Sequence, residues 1–509
     1  MKHKGLTRRE FVRGAALTGA GLVAAACVPV TPGVPAPAEA PTQAPAAEAT
    51  AAPTATAKET INVLMVGDPW ELALRTVADQ FTEETDIELK MDTLGYVALM
   101  ARLVNSFLTK TADADVVAVD GMWMPQYADN GWLRKLDDFI KADSDTDFSD
   151  FIPQSLYSSC TWRDSVWTLP VATYAQGIMY RTDMFEAAGL DPLPKTVAEA
   201  EAAEWTWDKY FGMLEKLNGM EMDGKEYYGT VLCGAQPVAV THMYTQLAAS
   251  YGARWFEQFP EAPWDFTPTI NSPDNVAAMR DWKMLYSMAP PECINYLFFD
   301  AGTRFSQGDI GMFYWWTPYF YLVNNEGYLS GKPSPVVDKF DVGVLPTRTP
   351  GGLQINSNGG WFLGIPASSK NPEAAWQFIK WATGAKAQKA MGLANTVGNQ
   401  FGDFSRYSLY KDPDLREIYP FLDTQMEGMK FGDCKVVRPP MPIYTSLEAV
   451  YGLQINQVMA NAATPEKALE MTDTLFNNIL TSNQMIPYEV DSFDDTLEAT
   501  EALIKRLSS

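Results

Sequence analysis

Histidine is almost missing from this chain: His3 and His242 are the only two. Ser-His-Asp triads, Cys-His pairs and His-ligated zinc each need at least one imidazole, so this scarcity speaks against all three and leaves carboxylate-only chemistry. Positive charge is also short, with 39 Lys and Arg against 63 Asp and Glu and a formal net charge of −24. Phosphate backbones are held by clustered Lys and Arg, so no nucleic-acid partner is expected, and strongly anionic substrates are disfavoured. Cysteine is sparse. Cys27 follows an apolar run near the N-terminus, while Cys160, Cys233, Cys293 and Cys434 are scattered with no Cys-x-x-Cys pair. Those four allow three pairings among which spacing does not choose; free, partly buried thiols are the expectation. Beyond the N-terminus no segment offers about 18 uncharged apolar residues, so the body is not expected to span a membrane. Phosphate-loop, nucleophile-elbow and zincin motifs are missing too. No cofactor and no metal site is expected. Asp143-Ser144-Asp145-Thr146-Asp147 imitates the start of a calcium loop, but Phe148 stands where Gly is needed and Gln154 where the closing Glu is needed.

What is present is ordinary globular composition, 509 residues with 47% hydrophobic and 20% charged, long enough for two or more lobes. Most of the fifteen Trp are expected in the core, and a surplus would suit stacking on flat ligands or sugar rings. The N-terminus reads as an address. Thr7-Arg8-Arg9-Glu10-Phe11-Val12-Arg13 resembles a twin-arginine export signal, and Ala15 to Ala26 is apolar but too short for a permanent span. Leu22-Val23-Ala24-Ala25-Ala26-Cys27 resembles a lipobox, with Ala24 where Leu is commoner. Residues 1–26 are expected to be removed and Cys27 lipidated; a plain signal peptide cut near Ala26 is the alternative. Residues 27–58 are mostly Pro, Ala, Thr, Val and Glu with no aromatic residue, the composition of an extended tether.

The body opens as α/β. Ile61 to Val66 reads as a strand broken by Gly67, and Asp68-Pro69-Trp70-Glu71 as a helix start with Asp at the N-cap, Pro at N1 and Glu at N3. Ile87 to Met91 is a second strand. Met100, Leu103, Val104, Phe107 and Leu108 make an amphipathic helix, and Asp115 to Val119 a strand buried on both faces. The order βαβαβ implies a parallel sheet, whose ligands bind beyond the carboxyl ends of its strands. That rule nominates the loops Gly67–Trp70 and Asp120–Trp123, each with one Asp and one Trp. Asp68 serves equally well as a helix cap, and Trp70 and Trp123 equally well as core.

Later motifs carry a family resemblance. Asp113-Ala114-Asp115-Val116-Val117 leading to Asp120, Asn130-Gly131-Trp132-Leu133-Arg134-Lys135-Leu136-Asp137, Ser165 to Val171 with Leu169-Pro170, and Met179-Tyr180-Arg181-Thr182-Asp183-Met184-Phe185 with Ala188-Gly189-Leu190 occur in order. Trp205-Thr206-Trp207-Asp208, Gly343-Val344-Leu345-Pro346, Gly359-Gly360-Trp361 and Ile365 to Trp376 follow. Together they resemble the extracellular solute-binding proteins of the maltose-binding, ABC sugar-importer class, from Ile61 to about Leu480. The resemblance implies a two-lobed type II periplasmic-binding-protein clamp with hinge segments. Its first crossing is expected near Pro170, a return near Leu345 and a last crossing near Thr396. One lobe would comprise 59–170 and 345–396, the other 171–344 and 397–509. Helices are expected over Asn371–Thr383 and Thr464–Thr481, each opened by a cap and Pro.

The same resemblance places the ligand between the lobes, against Asp68, Trp70, Asp120, Trp123, Tyr174, Gln176, Trp315, Trp316, Gly360 and Trp361, with Tyr96 at the start of the second helix. Trp rings would stack on apolar sugar faces while Asp and Gln take hydroxyls. The implied function is capture of a sugar or oligosaccharide and delivery to the transmembrane permease subunits of an ABC transporter. The protein would be an exported, lipid-anchored monomer without enzymatic activity. A lipid-anchored glycoside hydrolase using Asp68 and Asp120 is the alternative from another class; a ligand sensor is a third reading.

Overall fold

The computed structural model describes residues 58–143, 145–222, 224–323, 334–394, 401–488 and 492–508. The export signal, Cys27, the tether up to Ala57 and the crossing expected near Thr396 lie outside the described residues.

β1 (Thr60–Val66), α1 (Pro69–Thr85), β2 (Glu88–Leu94), α2 (Tyr96–Thr109) and β3 (Val116–Asp120) are the βαβαβ unit expected from the hydrophobic pattern. β1 pairs in parallel with β2 and with β3, Val63 opposite Met91 on one side and Val116 on the other. Two further strands make the sheet mixed. β4 (Thr168–Tyr174) and a much later strand, Gly359–Gly364, extend it in the order β2-β1-β3-(359–364)-β4, with the late strand antiparallel to both neighbours. α3 (Pro153–Ser159) packs on β4.

After β4 the chain leaves this sheet through the single residue Ala175. It enters β5 (Gln176–Arg181), the centre of an antiparallel three-stranded sheet flanked by β6 (Met312–Trp316) and β7 (Phe340–Gly343). β8 is the late strand Gly359–Gly364. Two sheets therefore seed two lobes; the central strand of the second, β5, is fully buried, and that of the first, β3, is buried up to Asp120 at its end. Pro170 belongs to the first sheet: it pairs with Phe362, and the register shift between Trp361 and Phe362 absorbs its missing N–H. The return runs from Val344, whose N–H still bonds Pro194, past Asn356 to β8. The Asn356 amide brackets the backbone of Gln176, accepting from its N–H at 2.8 Å and donating to its carbonyl at 2.7 Å, so the two crossing strands are clipped together.

The second lobe adds α4 (Val238–Ser250), α5 (Phe298–Ser306) and, after α6 (Pro372–Ala382) has returned to the first lobe, α7 (Tyr444–Met459) and α8 (Pro465–Ser482). Thr464 caps α8 as expected, accepting from Lys467 N–H at 3.3 Å. Asn371 makes no such cap on α6; its side-chain amide donates instead to Asp115 at 3.2 Å, tying the helix to the start of β3. Residues 401–406 lie against the first sheet, where Thr173 N–H bonds Asp403 and Ser405 Oγ bonds Pro170. The last helix, α9 (Leu497–Leu507), packs on α3.

Cys160, Cys233, Cys293 and Cys434 are free and buried. Asp143 pairs with Lys380 at 2.7 Å and Asp147 caps Ser149 N–H at 3.1 Å, so the calcium-like stretch is occupied by ordinary surface partners. Among the described residues no helix is long and apolar enough to cross a membrane, and no group of three or more His, Cys, Asp or Glu is placed to hold a metal.

Candidate functional site

Between the lobes lies a cavity of about 360 Å³. The first lobe builds its wall from the carboxyl ends of β1 and β3, as expected for a parallel sheet. Asp68 follows β1 and caps α1, accepting from Trp70 N–H at 3.5 Å. It also accepts from Tyr174 Oη at 2.7 Å, so capping and a place on the cavity wall coexist in one carboxylate. Burial pushes the Asp68 carboxyl up to about 6, only partly offset by these donors and by Trp361. Asp120 ends β3 and accepts from Tyr96 Oη at 3.1 Å and Met122 N–H at 2.9 Å.

β8 brings Trp361 to the same wall, opposite Asp120 in register. The preceding Gly360 has φ +139°, and a Cβ there would stand 2.1 Å from the Ala172 carbonyl; only glycine lets β8 pass so close to β4. Gly121 is needed for a similar reason, since its Cβ would strike Ser159 Oγ at 1.7 Å.

Seven of the eleven residues expected in the site line the cavity: Asp68, Tyr96, Asp120, Tyr174, Trp316, Gly360 and Trp361. Four do not. Trp70 is wholly buried in the core beneath α1. Trp123 stands one layer back, its ring centroid 4.9 Å from Tyr96 and 6.0 Å from Trp361, and props both. Trp315 and Trp316 are successive residues of β6, so their side chains leave opposite faces; Trp316 faces the cavity and Trp315 is fully buried. Gln176 is turned into the second lobe, where Nε2 donates to the His242 carbonyl at 3.3 Å.

The second lobe's wall was largely invisible in the sequence. Beside Trp316 it consists of His242 from α4, Leu297 to Asp300 at the start of α5, Tyr319 and Arg438. Phe298 lies 5.5 Å from Tyr96 across the cleft and 5.4 Å from His242. Arg438 lies 5.4 Å over the Trp316 ring. Behind it, Tyr444 Oη donates to Glu448 at 2.8 Å, and burial pushes the Glu448 carboxyl up to about 7. His242 Nε2 is 3.2 Å from Glu448 but lacks hydrogen-bond geometry; burial, then Arg438, holds this imidazole well below its ordinary pKa. The available signals were thin: one histidine in the body, and one Arg before two prolines in Val437-Arg438-Pro439-Pro440.

Chemically, the cavity offers aromatic plates from both lobes, carboxylate acceptors in Asp68 and Asp120 on one wall and Asp300 on the other, and a guanidinium donor on the second wall, which is a binding arrangement for a solute rich in C–H faces and polar rims. Comparison with known proteins agrees. Residues 68–389, more than half of the chain, match the family described as bacterial extracellular solute-binding protein. This chain belongs to that family. The family's two-lobed type II fold is shared with the ABC transporter solute-binding protein of Agrobacterium radiobacter K84, solved in complex with ribitol: TM-score 0.72, 28% identity, 83% of this chain and 98% of that one. An erythritol/L-threitol-binding protein of Mycolicibacterium smegmatis is 22% identical over 93% of this chain and 97% of its own length. A probable amino-acid ABC transporter periplasmic-binding protein, y4oP of Sinorhizobium fredii, is 24% identical over 78% of this chain and 83% of its own length. Like its family, this chain is an exported solute-binding protein of an ABC importer.

Proposed function

We propose that this protein captures a sugar or sugar alcohol between its lobes and presents the closed form to the permease subunits of an ABC transporter. The observation that carries this reading is the convergence on one cavity of Trp361, Tyr96, Asp68 and Asp120 from the first lobe with Trp316 and Arg438 from the second. A solute that touches both walls stabilises the closed arrangement, and that population shift is the signal a transporter reads. The ribitol-bound neighbour and the erythritol/L-threitol-binding relative support the solute class. The expected lobes, 59–170 with 345–396 and 171–344 with 397–509, are adjusted on the strand pairing and packing: the first crossing falls at Ala175, and residues 401–406 and α9 go with the first lobe. Export proceeds through the twin-arginine signal, and lipidated Cys27 with the tether to residue 58 holds a monomer at the outer face of the membrane. Cys27→Ser should release the protein from the membrane fraction, and a wild type that is fully soluble would refute the anchor.

The primary test is melting temperature and calorimetry against ribitol, D-mannitol, erythritol, D-glucose and maltose. A ligand at 100 times its Kd should add about 2.7 kcal/mol of stability. No response to any of them would defeat the reading. One observation favours a hydrolytic alternative: Asp68 and Asp120 share the cavity, and one of them has a raised pKa. Release of nitrophenol from a panel of nitrophenyl glycosides would establish that alternative; ligand-induced stabilisation without turnover argues for binding.

A further inference from the structure

Arg438 is the anomaly of the cavity. Its side chain is 2% exposed and lines the cavity, yet neither Nε nor Nη1 has a hydrogen-bond partner. Tyr444, Asp120 and Glu448 act on it through space, and it lies over the face of Trp316, 5.4 Å from the ring centroid. A guanidinium does not shed its proton, and burying one without acceptors costs several kcal/mol. The equally buried Arg406 is satisfied, donating to the Thr383 and Asp147 carbonyls, both at 2.7 Å, and Arg134 and Arg304 each lack a partner at Nε alone, whereas Arg438 lacks one at both Nε and Nη1.

We propose that Arg438 is a ligand-binding residue that sets the solute class, an uncharged polyhydroxy compound whose hydroxyl oxygens accept from the guanidinium while its hydroxyl hydrogens go to Asp68 and Asp120. This rests on the cavity being the solute site proposed above. Hydroxyls alone fit both walls, because each is donor and acceptor at once. A carboxylate or phosphate would satisfy Arg438, but it is acceptor-only and would share the cavity with Asp68, Asp120 and Asp300. A zwitterionic amino acid divides its charges between Arg438 and the carboxylates but offers no run of hydroxyls for the Trp361 and Trp316 plates. The planar fork of Arg438, 5.4 Å over the Trp316 ring, matches the spacing of a vicinal pair of hydroxyl oxygens.

The test is calorimetry and thermal melting of the full-length protein and its Arg438→Met and Arg438→Lys variants against two sets of probes. The neutral set is ribitol, D-mannitol and D-glucose; the charged set is D-gluconate, D-glucose 6-phosphate and L-glutamate. Wild type should bind a neutral probe more tightly than any charged one. Arg438→Met should weaken that binding about 10- to 150-fold, the range for hydrogen bonds to a charged group. Arg438→Lys should fall between, keeping the charge without the fork. Ligand-free Arg438→Met should melt no lower than wild type, because an unpaired buried charge has been removed. Tighter binding of a charged probe, unchanged affinity in both variants, or ligand-free variants that melt well below wild type would each overturn the proposal while leaving solute capture standing. Silence of the wild type toward both sets would defeat the solute reading itself, and this inference with it.

Discussion

The two walls of the cleft are built differently. The first-lobe wall comes from a short stretch of chain, Gly67 to Met122, closed by β8, and its carboxylates already hold hydrogen bonds from Tyr174, Tyr96 and backbone N–H groups. The second-lobe wall gathers His242, Phe298, Trp316 and Arg438 from elements nearly 200 residues apart, and its guanidinium has no direct partner at Nε or Nη1. The first wall is a platform whose groups are set by local structure and mutual bonds. The second holds an unsatisfied donor, and that is the difference through which a ligand shifts the equilibrium: a contact made only when the lobes are closed around solute is the one that rewards closure.

The comparison can be broken most severely where the walls join. Gly360→Val would drive a side chain into the Ala172 carbonyl at a positive φ, unseating β8; a loss of about 3–5 kcal/mol in denaturant unfolding is expected. A wild-type midpoint would show that β8 tolerates the displacement. Next, Trp361→Ala and Trp316→Ala remove one plate from each wall. Each should weaken solute binding about 10- to 100-fold by calorimetry, from loss of ring contact in a dry site. If both bind normally, the cavity is not the solute site.

Proton linkage separates the walls further. Asp68 and Glu448 have folded pKa values raised to about 6 and about 7 by burial. Between the unfolded carboxylate range and those values the native state binds protons that the unfolded chain has released. Their contribution to stability is therefore present at low pH and is lost as pH rises through 6 to 7. Melting temperature should fall between pH 5 and pH 8, and Glu448→Gln should flatten that fall, with a difference of order 2 kcal/mol at pH 8. An identical pH profile in the variant would remove Glu448 as a cause. Smallest of all in its effect on solute binding is Trp315→Phe. Trp315 points away from the cavity and its indole N–H has no hydrogen-bond partner, so solute affinity should change less than about twofold, while the cavity left by the smaller ring should lower stability by about 1–3 kcal/mol. A large affinity loss there would show that the two faces of β6 are not independent.

Much of the first lobe was legible because its signals are local. Alternation and apolar runs define β1 to β3, Asp68-Pro69 starts α1, and chain order alone makes the sheet parallel, which in turn points to the loops after β1 and β3. Misplacements came where local cues serve two masters. Pro170 reads as a break, yet a bulge opposite it keeps the strand in the sheet as far as Tyr174. Asn371 reads as a cap, yet it bonds Asp115 from a distant strand. Trp70, Trp123 and Trp315 carry the right chemistry on the wrong face, and facing is a property of packing that residue type does not encode.

The order of apolar periods, the caps and the ordered motifs determined by themselves that this chain forms an α/β clamp with carboxylates at the ends of its parallel strands. Strand and helix formation respond to neighbours a few residues away, so the sequence carries them openly. Only the tertiary structure decided which tryptophans meet the solute and that His242, Phe298 and Arg438 stand opposite Asp68 and Asp120. Those meetings are made by repeated chain crossings between the lobes and the docking of helices far apart in sequence, and burial turns an ordinary arginine into an unpaired donor only once that docking is complete.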